Sequence, residues 1–294
     1  MRLPLGVVST SFRIAPPLIK PSRLTFVERG GVGKGLSDGW ALNYVVGCTM
    51  GCRFCYVDEI HKRWGHQRVG DIVFEEWGNY LAIPSNLEEV IEKTPWEKWR
   101  GEEVLLSSTH DPYLPIIAPW TRRILERALP AGVRFCIQTR SPLVERDFDI
   151  LKAYRKQVRI QVSIATYCHG LGRLIEPRVA PPERRMAILE HAMAVGLKTG
   201  IIIAPVFPPV KIRPDVDRDL DAIIGELARI RPNHIYGECL HVRGVNMAYV
   251  EKVLGEKVEL EGFDHRAGKI FYKLLEKYGL KGKWWNENRK QYEG

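Results

Sequence analysis

The feature that most constrains the fold is a regular alternation of apolar runs with amphipathic segments, which begins after residue 40. The runs are rich in Val, Ile and Leu, which is typical of strands buried on both faces of a parallel sheet. Because strand–helix units in sequence imply right-handed crossovers, the pattern predicts an α/β fold, a partial (βα)6 TIM-type barrel with parallel strands. The six predicted strands are residues 42–46, 103–107, 133–139, 158–164, 198–204 and 234–240.

Two extensions flank this alternation. Residues 1–39 are expected to be irregular, because prolines and a glycine run from Gly30 to Gly33 interrupt them. Residues 40–245 are expected to form the barrel, and residues 246–294 a C-terminal extension rich in basic and aromatic residues.

The charge and hydropathy of the chain exclude some classes of protein. No apolar run reaches membrane-spanning length, and the N-terminus lacks the regions of a signal peptide, so we expect a cytoplasmic location and no membrane partner. The net charge is +9 over 294 residues. Most of it lies in residues 1–39 and 263–294, which suits a polyanionic partner such as DNA or RNA or, alternatively, only keeps the protein in solution.

Three of the six cysteines crowd into eight residues, Cys48, Cys52 and Cys55, with the spacing Cys-x3-Cys-x2-Cys. A disulfide framework would spread its cysteines, so this group predicts a metal site. Three thiolates on one loop can hold three irons of a [4Fe–4S] cluster and leave the fourth without a protein ligand. The alternative is a zinc site, in which His61 or His66 completes a Cys3His shell.

Polar residues follow the predicted strands at their carboxyl ends, where parallel folds place their active sites. This edge therefore predicts the site. Its members are Cys48, Ser108, Thr109, His110, Asp111, Thr139, Arg140, Ser141, Ser163, Thr166, Glu238 and Cys239.

The cysteine motif, followed by the aromatic Tyr56, resembles the signature of the radical S-adenosylmethionine (radical SAM) superfamily. The resemblance implies a partial or full parallel barrel, a [4Fe–4S] cluster and S-adenosylmethionine bound at the open iron. It implies further that an electron from a donor such as ferredoxin or flavodoxin cleaves the sulfonium, and that the resulting radical removes a hydrogen atom from the substrate.

Beyond the cysteines, residues 40–245 resemble the spore photoproduct lyase-like proteins, often described as DNA repair photolyases. The matching segments include 108–113 and 138–142. This resemblance implies that the cofactor is lined by Tyr56, Ser108, His110, Asp111, Arg140 and Ser163. The alternatives are that Asp111 only forms a turn and that Arg140 pairs with Asp147 or Glu145.

One departure from the lyase pattern concerns hydrogen-atom return. Ser108 stands where the lyase has a cysteine, and a serine O–H bond is too strong for a good hydrogen-atom donor. Cys168 and Cys239, both near strand ends, are the candidate catalytic replacements, although for either one alone burial is the favoured explanation. Cys136 lies inside a strand, which predicts an apolar environment.

The substrate is indicated only by composition. Basic and aromatic residues interleave at 61–68 and at 281–290, which suits nucleotides that stack on rings, although Trp284 and Trp285 could instead form a lid. We therefore expect a radical SAM enzyme, of lyase or transferase type, that acts on DNA or RNA. The alternatives are a radical SAM enzyme acting on a small metabolite or peptide, and a non-enzymatic zinc-bearing nucleic-acid binder.

Overall fold

The computed structural model describes residues 3–22 and 35–285, and its central element is an eight-stranded sheet. The strand order is β10-β9-β8-β7-β6-β5-β3-β2, and neighbours are parallel except for the β2–β3 pair. The strands of the sheet are β2 (Ile19–Pro21), β3 (Trp40–Leu42), β5 (Glu103–Leu106), β6 (Arg134–Thr139), β7 (Val158–Ile164), β8 (Lys198–Val206), β9 (His234–Cys239) and β10 (Lys283–Trp285). Because its two edge strands do not pair in the described part of the chain, the sheet is open and forms a partial barrel.

Helices cover the outer face of this sheet. Their bounds are α1 (Val57–Ile60), α2 (His66–Val69), α3 (Leu87–Lys93), α4 (Ala118–Ala128), α5 (Phe148–Ala153), α6 (His169–Ile175), α7 (Pro182–Ala194), α8 (Val216–Ile230), α9 (Asn246–Leu254) and α10 (Phe263–Lys277). A π-helical turn, His61–Gly65, joins α1 to α2, and 3-10 turns occupy Gly70–Phe74, Trp96–Trp99 and Pro142–Asp147. In α8 the apolar residues Val216, Leu220, Ile223, Ile224 and Leu227 recur at helical spacing and are all buried, which gives the helix one apolar face.

The inner face of the sheet is apolar in the middle of the strands and polar at their two ends. Since side chains alternate between the two faces of a strand, the set Ala41, Leu105, Cys136, Ile202 and Tyr236 forms a small apolar cluster with Leu36, separate from the main core. Cys136 is thus buried among apolar side chains, as predicted. Polar side chains lie beyond this cluster at both ends of the strands.

The predicted α/β fold and its six parallel strands are confirmed, with one shift. The first strand is Trp40–Leu42 rather than residues 42–46. The chain leaves the sheet there because Asn43 binds the loop after β5, and Val46 pairs instead with Ala82 of β4 (Tyr80–Pro84).

The N-terminal extension is less irregular than its composition predicts. Strand β1 (Val8–Phe12) pairs in parallel with β4, and β2 pairs with β3. Both strands are short and depend on partners distant in sequence, so local composition does not reveal them. The glycine run Gly30 to Gly33 lies outside the described residues. The division into parts at residues 40 and 246 stays a prediction.

None of the helices in the described residues has the length and apolar character needed to cross a lipid bilayer.

Candidate active site

The loop between β3 and α1 carries the three clustered cysteines and is tightly wrapped. Gly47 and Gly51 both adopt positive φ, +98° and +64°, where side-chain-bearing residues are strained. A Cβ on Gly47 would lie 2.4 Å from the carbonyl oxygen of Tyr80, so this position also lacks room for a side chain. The loop is further held by hydrogen bonds from the amide of Arg53 to Ile175 O (2.8 Å) and from Asn246 to Phe54 O (3.1 Å).

The three cysteines line one cavity of about 330 Å³ at the carboxyl ends of the strands. Cys48 and Cys52 are buried, and Cys55 is partly buried. Burial raises the pKa of Cys48 to about 11 and of Cys55 to about 12, and it raises the pKa of Cys52 as well. Without a cation these thiols hold their protons at neutral pH, so thiolate formation must be coupled to metal binding.

The two histidines that could complete a zinc shell lie elsewhere. His61 Nδ1 accepts a hydrogen bond from the amide of Gly47 (3.1 Å), while His66 contacts Asp71 (3.1 Å) and is exposed. Neither lines the cavity. Among residues 3–22 and 35–285, no three His, Cys, Asp or Glu side chains are placed to hold a single metal ion. The donor set fits a cubane cluster, whose thiolates each bind a different iron, better than a mononuclear zinc ion.

The turn after β5 forms a second wall of the cavity. Asn43 Oδ1 accepts the amide hydrogens of Ser108 (2.9 Å) and Thr109 (3.2 Å), and its Nδ2 donates to Ser108 Oγ (2.9 Å). Asn43 therefore fixes the conformation of residues 108–111. The sequence did not indicate this role, because it placed Asn43 inside the predicted strand 42–46 rather than after the strand end at Leu42.

Asp111 joins the cysteine loop to the end of β6. Its carboxylate accepts hydrogen bonds from the Tyr113 amide (2.8 Å), Thr139 Oγ1 (2.7 Å) and the Arg140 amide (2.7 Å). Burial raises the pKa of Asp111, and these bonds oppose that rise. Its own backbone N–H donates to the sulfur of Cys48, which favours the thiolate. Asp111 thus forms a turn, as one of the two interpretations predicts, and its side chain also links the turn to the end of β6 in the cavity wall.

Arg140 is held by a partner that the sequence does not reveal. Its Nε donates to Glu176 Oε1 at 3.0 Å, and Glu176 also pairs with the fully buried Arg185 at 2.6 Å. Arg185 in turn donates to the carbonyl oxygen of Ser163 at 2.7 Å. Burial opposes the charge of Arg140, but the sulfur of Cys52 in its thiolate form and the carboxylate of Glu176 raise the pKa of Arg140 above the ordinary value.

The pairing of Arg140 with Asp147 or Glu145 that the sequence allows does not occur. Asp147 binds Arg146 and Arg122, and Glu145 binds Arg184.

The far wall of the cavity is formed by the end of β9 and by β10. Glu238 Oε1 lies 3.1 Å from His241 Nε2, and the ring of His241 packs edge-on against Trp285 with 4.7 Å between centroids. Cys239 is buried beside the carboxylate of Asp264. Burial and this carboxylate raise the pKa of Cys239, so its sulfur keeps its hydrogen.

Of the two candidate catalytic cysteines, only Cys239 lines the cavity. Cys168 lies at the start of α6, and its sulfur is 3.8 Å from the carbonyl oxygen of Ile212. Around the cavity the structure brings together most of the residues expected at the site, which are Cys48, Cys52, Cys55, Tyr56, Ser108, Thr109, His110, Asp111, Thr139, Arg140, Ser163, Glu238 and Cys239. Ser141 and Thr166 do not line it, because Ser141 caps the 3-10 turn Pro142–Asp147 and Thr166 Oγ1 donates to Asp219 at 2.7 Å.

The two C-terminal tryptophans play different structural parts. Trp284 lies over α10, where its Nε1 donates to Asp264 at 2.8 Å and its ring meets Phe271. Trp285 faces the cavity. They extend the sheet as part of β10 rather than lying across the open barrel. The neighbouring basic residues Arg289 and Lys290 lie outside the described part of the chain.

Known proteins are similar in sequence to the part of the chain that carries the cysteine loop of this site. Residues 42–223 match the family model of the radical SAM superfamily. The chain belongs to the radical SAM superfamily. As a radical SAM protein it uses a [4Fe–4S] cluster and S-adenosylmethionine as its cofactors, and the loop of Cys48, Cys52 and Cys55 lies inside the matched region.

Two curated relatives are themselves uncharacterized proteins. ORF301 of Acidianus two-tailed virus is 56% identical over 94% of this chain and 92% of its own length. MJ0683 of Methanocaldococcus jannaschii is 26% identical over 75% of this chain and 78% of its own length.

The solved structures similar to this radical SAM protein include spore photoproduct lyase. One variant of that enzyme matches with a TM-score of 0.66 at 13% identity, covering 94% of this chain and 81% of the lyase. A second variant, with bound AdoMet and dinucleoside spore photoproduct, matches with a TM-score of 0.60 at 14% identity, covering 84% and 76%. The chain therefore has the spore photoproduct lyase-like fold that its sequence resembles.

Proposed function

We propose that this radical SAM protein is an enzyme that reductively cleaves S-adenosylmethionine and removes a hydrogen atom from a nucleic-acid substrate, in DNA repair or RNA modification. The observation that carries the proposal is a single cavity that joins the three cluster thiols to Arg140, Ser163 and the wall of Glu238 and Trp285. When bound, the reduced cluster supplies the electron that cleaves the sulfonium and so provides the radical.

The cavity wall divides into residues with separate roles. Cys48, Cys52 and Cys55 are the proposed cluster ligands, and Tyr56, Ser108, His110, Asp111, Arg140 and Ser163 are proposed to surround S-adenosylmethionine. Arg140 carries a positive charge towards this region, which suits the carboxylate of the cofactor. His110 Nε2 is buried and has no hydrogen-bond partner in the described residues, so it is available to a bound ligand.

Cys239 is the proposed donor that returns a hydrogen atom to the substrate radical. Its S–H bond would break as a C–H bond forms on the substrate. Support comes from its place in the cavity wall and from the raised pKa that keeps the thiol protonated. Ser108 cannot serve in this way, and its hydroxyl is engaged with Asn43. Cys168 is the weaker candidate because it does not line the cavity.

A nucleic-acid substrate is supported by charge and by exposed rings. The chain carries a net charge of +9. Trp64 is 60% exposed beside the cluster loop, with the Arg63 guanidinium 5.3 Å from its ring centre, and Trp285 lines the cavity. Bases stack on such rings while cations hold phosphates. One similar structure is spore photoproduct lyase complexed with dinucleoside spore photoproduct. The cytoplasmic location and a ferredoxin or flavodoxin donor remain predictions.

The test of the substrate class is an anaerobic turnover assay. Reconstituted protein is given dithionite and S-adenosylmethionine, with single-stranded DNA, duplex DNA, RNA or no addition, and deuterium transfer from labelled nucleic acid into 5′-deoxyadenosine is measured. Transfer from one nucleic acid, weakened as salt rises, is the expected result. Cofactor cleavage without such transfer, unchanged by nuclease, would favour a small metabolite or peptide instead.

A further inference from the structure

A second cavity, of about 260 Å³, lies at the opposite end of the strands from the cysteine loop. The first residues of five neighbouring strands meet there: Glu103, Arg134, Val158, Lys198 and His234. The apolar cluster of Leu36, Leu105, Cys136, Ile202 and Tyr236 with Ala41 occupies the inner face between the two ends. We call this second cavity the barrel-bottom pocket, and it is separate from the candidate active site.

The barrel-bottom pocket concentrates positive charge. Arg134, Lys156, Arg159 and Lys198 line it, against a single carboxylate, Glu103, among its lining residues. Glu103 is already engaged by Arg159 at 3.0 Å and by Arg134 at 4.0 Å. The side-chain ammonium groups of Lys156 and Lys198 form no hydrogen bond or ion pair within residues 3–22 and 35–285. The pocket therefore holds an excess of cations, which a bound anion would offset.

An aromatic pair completes the wall of the pocket. The rings of His234 and Tyr236 stack with 6.2 Å between centroids and an interplanar angle of 11°. His234 is exposed, so one face of this stack is open to a ligand. Partial desolvation of the ring, together with Arg159 and Lys198, lowers the pKa of His234, which keeps its ring uncharged near neutral pH. A neutral ring beside several cations suits a ligand that carries both an aromatic group and an anion.

We propose that the barrel-bottom pocket binds a phosphate group, with Lys156 and Lys198 as its cationic contacts and the ring of His234 available to an attached base. The phosphate could belong to a free nucleotide or to the backbone of a nucleic acid. This proposal does not depend on the reaction at the opposite end of the barrel.

The test uses the full chain, saturated with S-adenosylmethionine so that the first cavity is filled, and inorganic pyrophosphate as the probe in calorimetric titrations at low salt. Neutralising both lysines in a Lys156→Gln/Lys198→Gln variant should weaken pyrophosphate binding about tenfold, because two exposed charge pairs are lost. The matched control is Lys252→Gln/Lys269→Gln, which removes the same charge from α9 and α10 and should change affinity less than about twofold.

Two further probes identify the source of the phosphate. Adenosine monophosphate that binds more tightly than pyrophosphate, and loses that advantage in His234→Ala, indicates a free nucleotide. A single-stranded oligonucleotide that displaces pyrophosphate indicates a nucleic-acid backbone. Both results support a phosphate site. Equal weakening in the two double variants, or no pyrophosphate binding to the unaltered chain, overturns the proposal.

Discussion

The buried ion network behind Arg140 gives the sharpest structural prediction. Among the residues that the structure describes, Glu176 is the only carboxylate in contact with both Arg140 and Arg185, at 3.0 and 2.6 Å, and its side chain is 2% exposed. Glu176→Gln keeps the shape and one acceptor oxygen but removes the charge, so two guanidinium groups lose their shared counter-ion. Removing one partner of a buried pair costs about 3–5 kcal/mol. For Glu176→Gln we expect a loss of stability at the lower end of this range, about 3 kcal/mol, because the amide oxygen still accepts one hydrogen bond.

The assay is urea unfolding of the cofactor-free protein, followed by circular dichroism. The free energy of unfolding should fall by about 3 kcal/mol. In a thermal unfolding experiment the same loss corresponds to a fall in Tm of roughly 6 °C for a chain of this size. The matched control is Glu183→Gln, since Glu183 pairs with His169 at 2.8 Å but both side chains are about half exposed. That exposed pair should contribute about 0–1 kcal/mol. Equal effects of the two substitutions would refute the reasoning that Glu176 neutralises two buried cations.

Three further predictions concern the same end of the barrel. Asn43→Ala removes the hydrogen bonds that fix residues 108–111, each contributing about 1 kcal/mol, and should weaken S-adenosylmethionine binding about tenfold in calorimetry. Burial lowers the pKa of His61 to about 4 from 6.5. As the pH falls from 6.5 to 4, His61 therefore becomes protonated in the unfolded state before it does so in the folded state. The free energy of unfolding should decrease by up to about 3 kcal/mol over that window. In urea titrations at several pH values, His61→Gln should make this decrease smaller. Cys239→Ser should preserve 5′-deoxyadenosine formation but lower the yield of repaired or modified product, whereas Cys168→Ala should change neither when both are followed by mass spectrometry.

The parallel barrel could be predicted because its strands are buried on both faces. That burial demands long apolar runs, and β7 matches the predicted residues 158–164 end for end. The loop of Cys48, Cys52 and Cys55 could be singled out from the sequence because its three cysteines lie within eight residues. Strands β1 and β2 could not be predicted in the same way, since each is short and is stabilised by pairing with a distant strand.

In the site, too, features set by nearby residues could be predicted, whereas contacts between residues far apart in sequence could not. Carboxyl ends of parallel strands meet at one edge, so the sequence brings Ser108, Arg140 and Ser163 to the same cavity wall. It does not show that Arg140 turns towards Glu176, because that contact joins residues 36 apart, with α5, β7 and α6 between them. Nor does it separate Cys239 from Cys168. The hydrogen bond from Thr166 Oγ1 to Asp219 (2.7 Å) anchors the chain after β7, and Cys168 then begins α6 outside the cavity.

The most direct test of the central claim is metal and sulfide analysis of protein reconstituted without oxygen, combined with its cleavage of S-adenosylmethionine on reduction. The account predicts roughly four iron and four sulfide per chain, 5′-deoxyadenosine formed with dithionite, and loss of both in Cys52→Ala but not in Cys136→Ala. A colourless protein that holds zinc without sulfide and leaves the cofactor intact would contradict it.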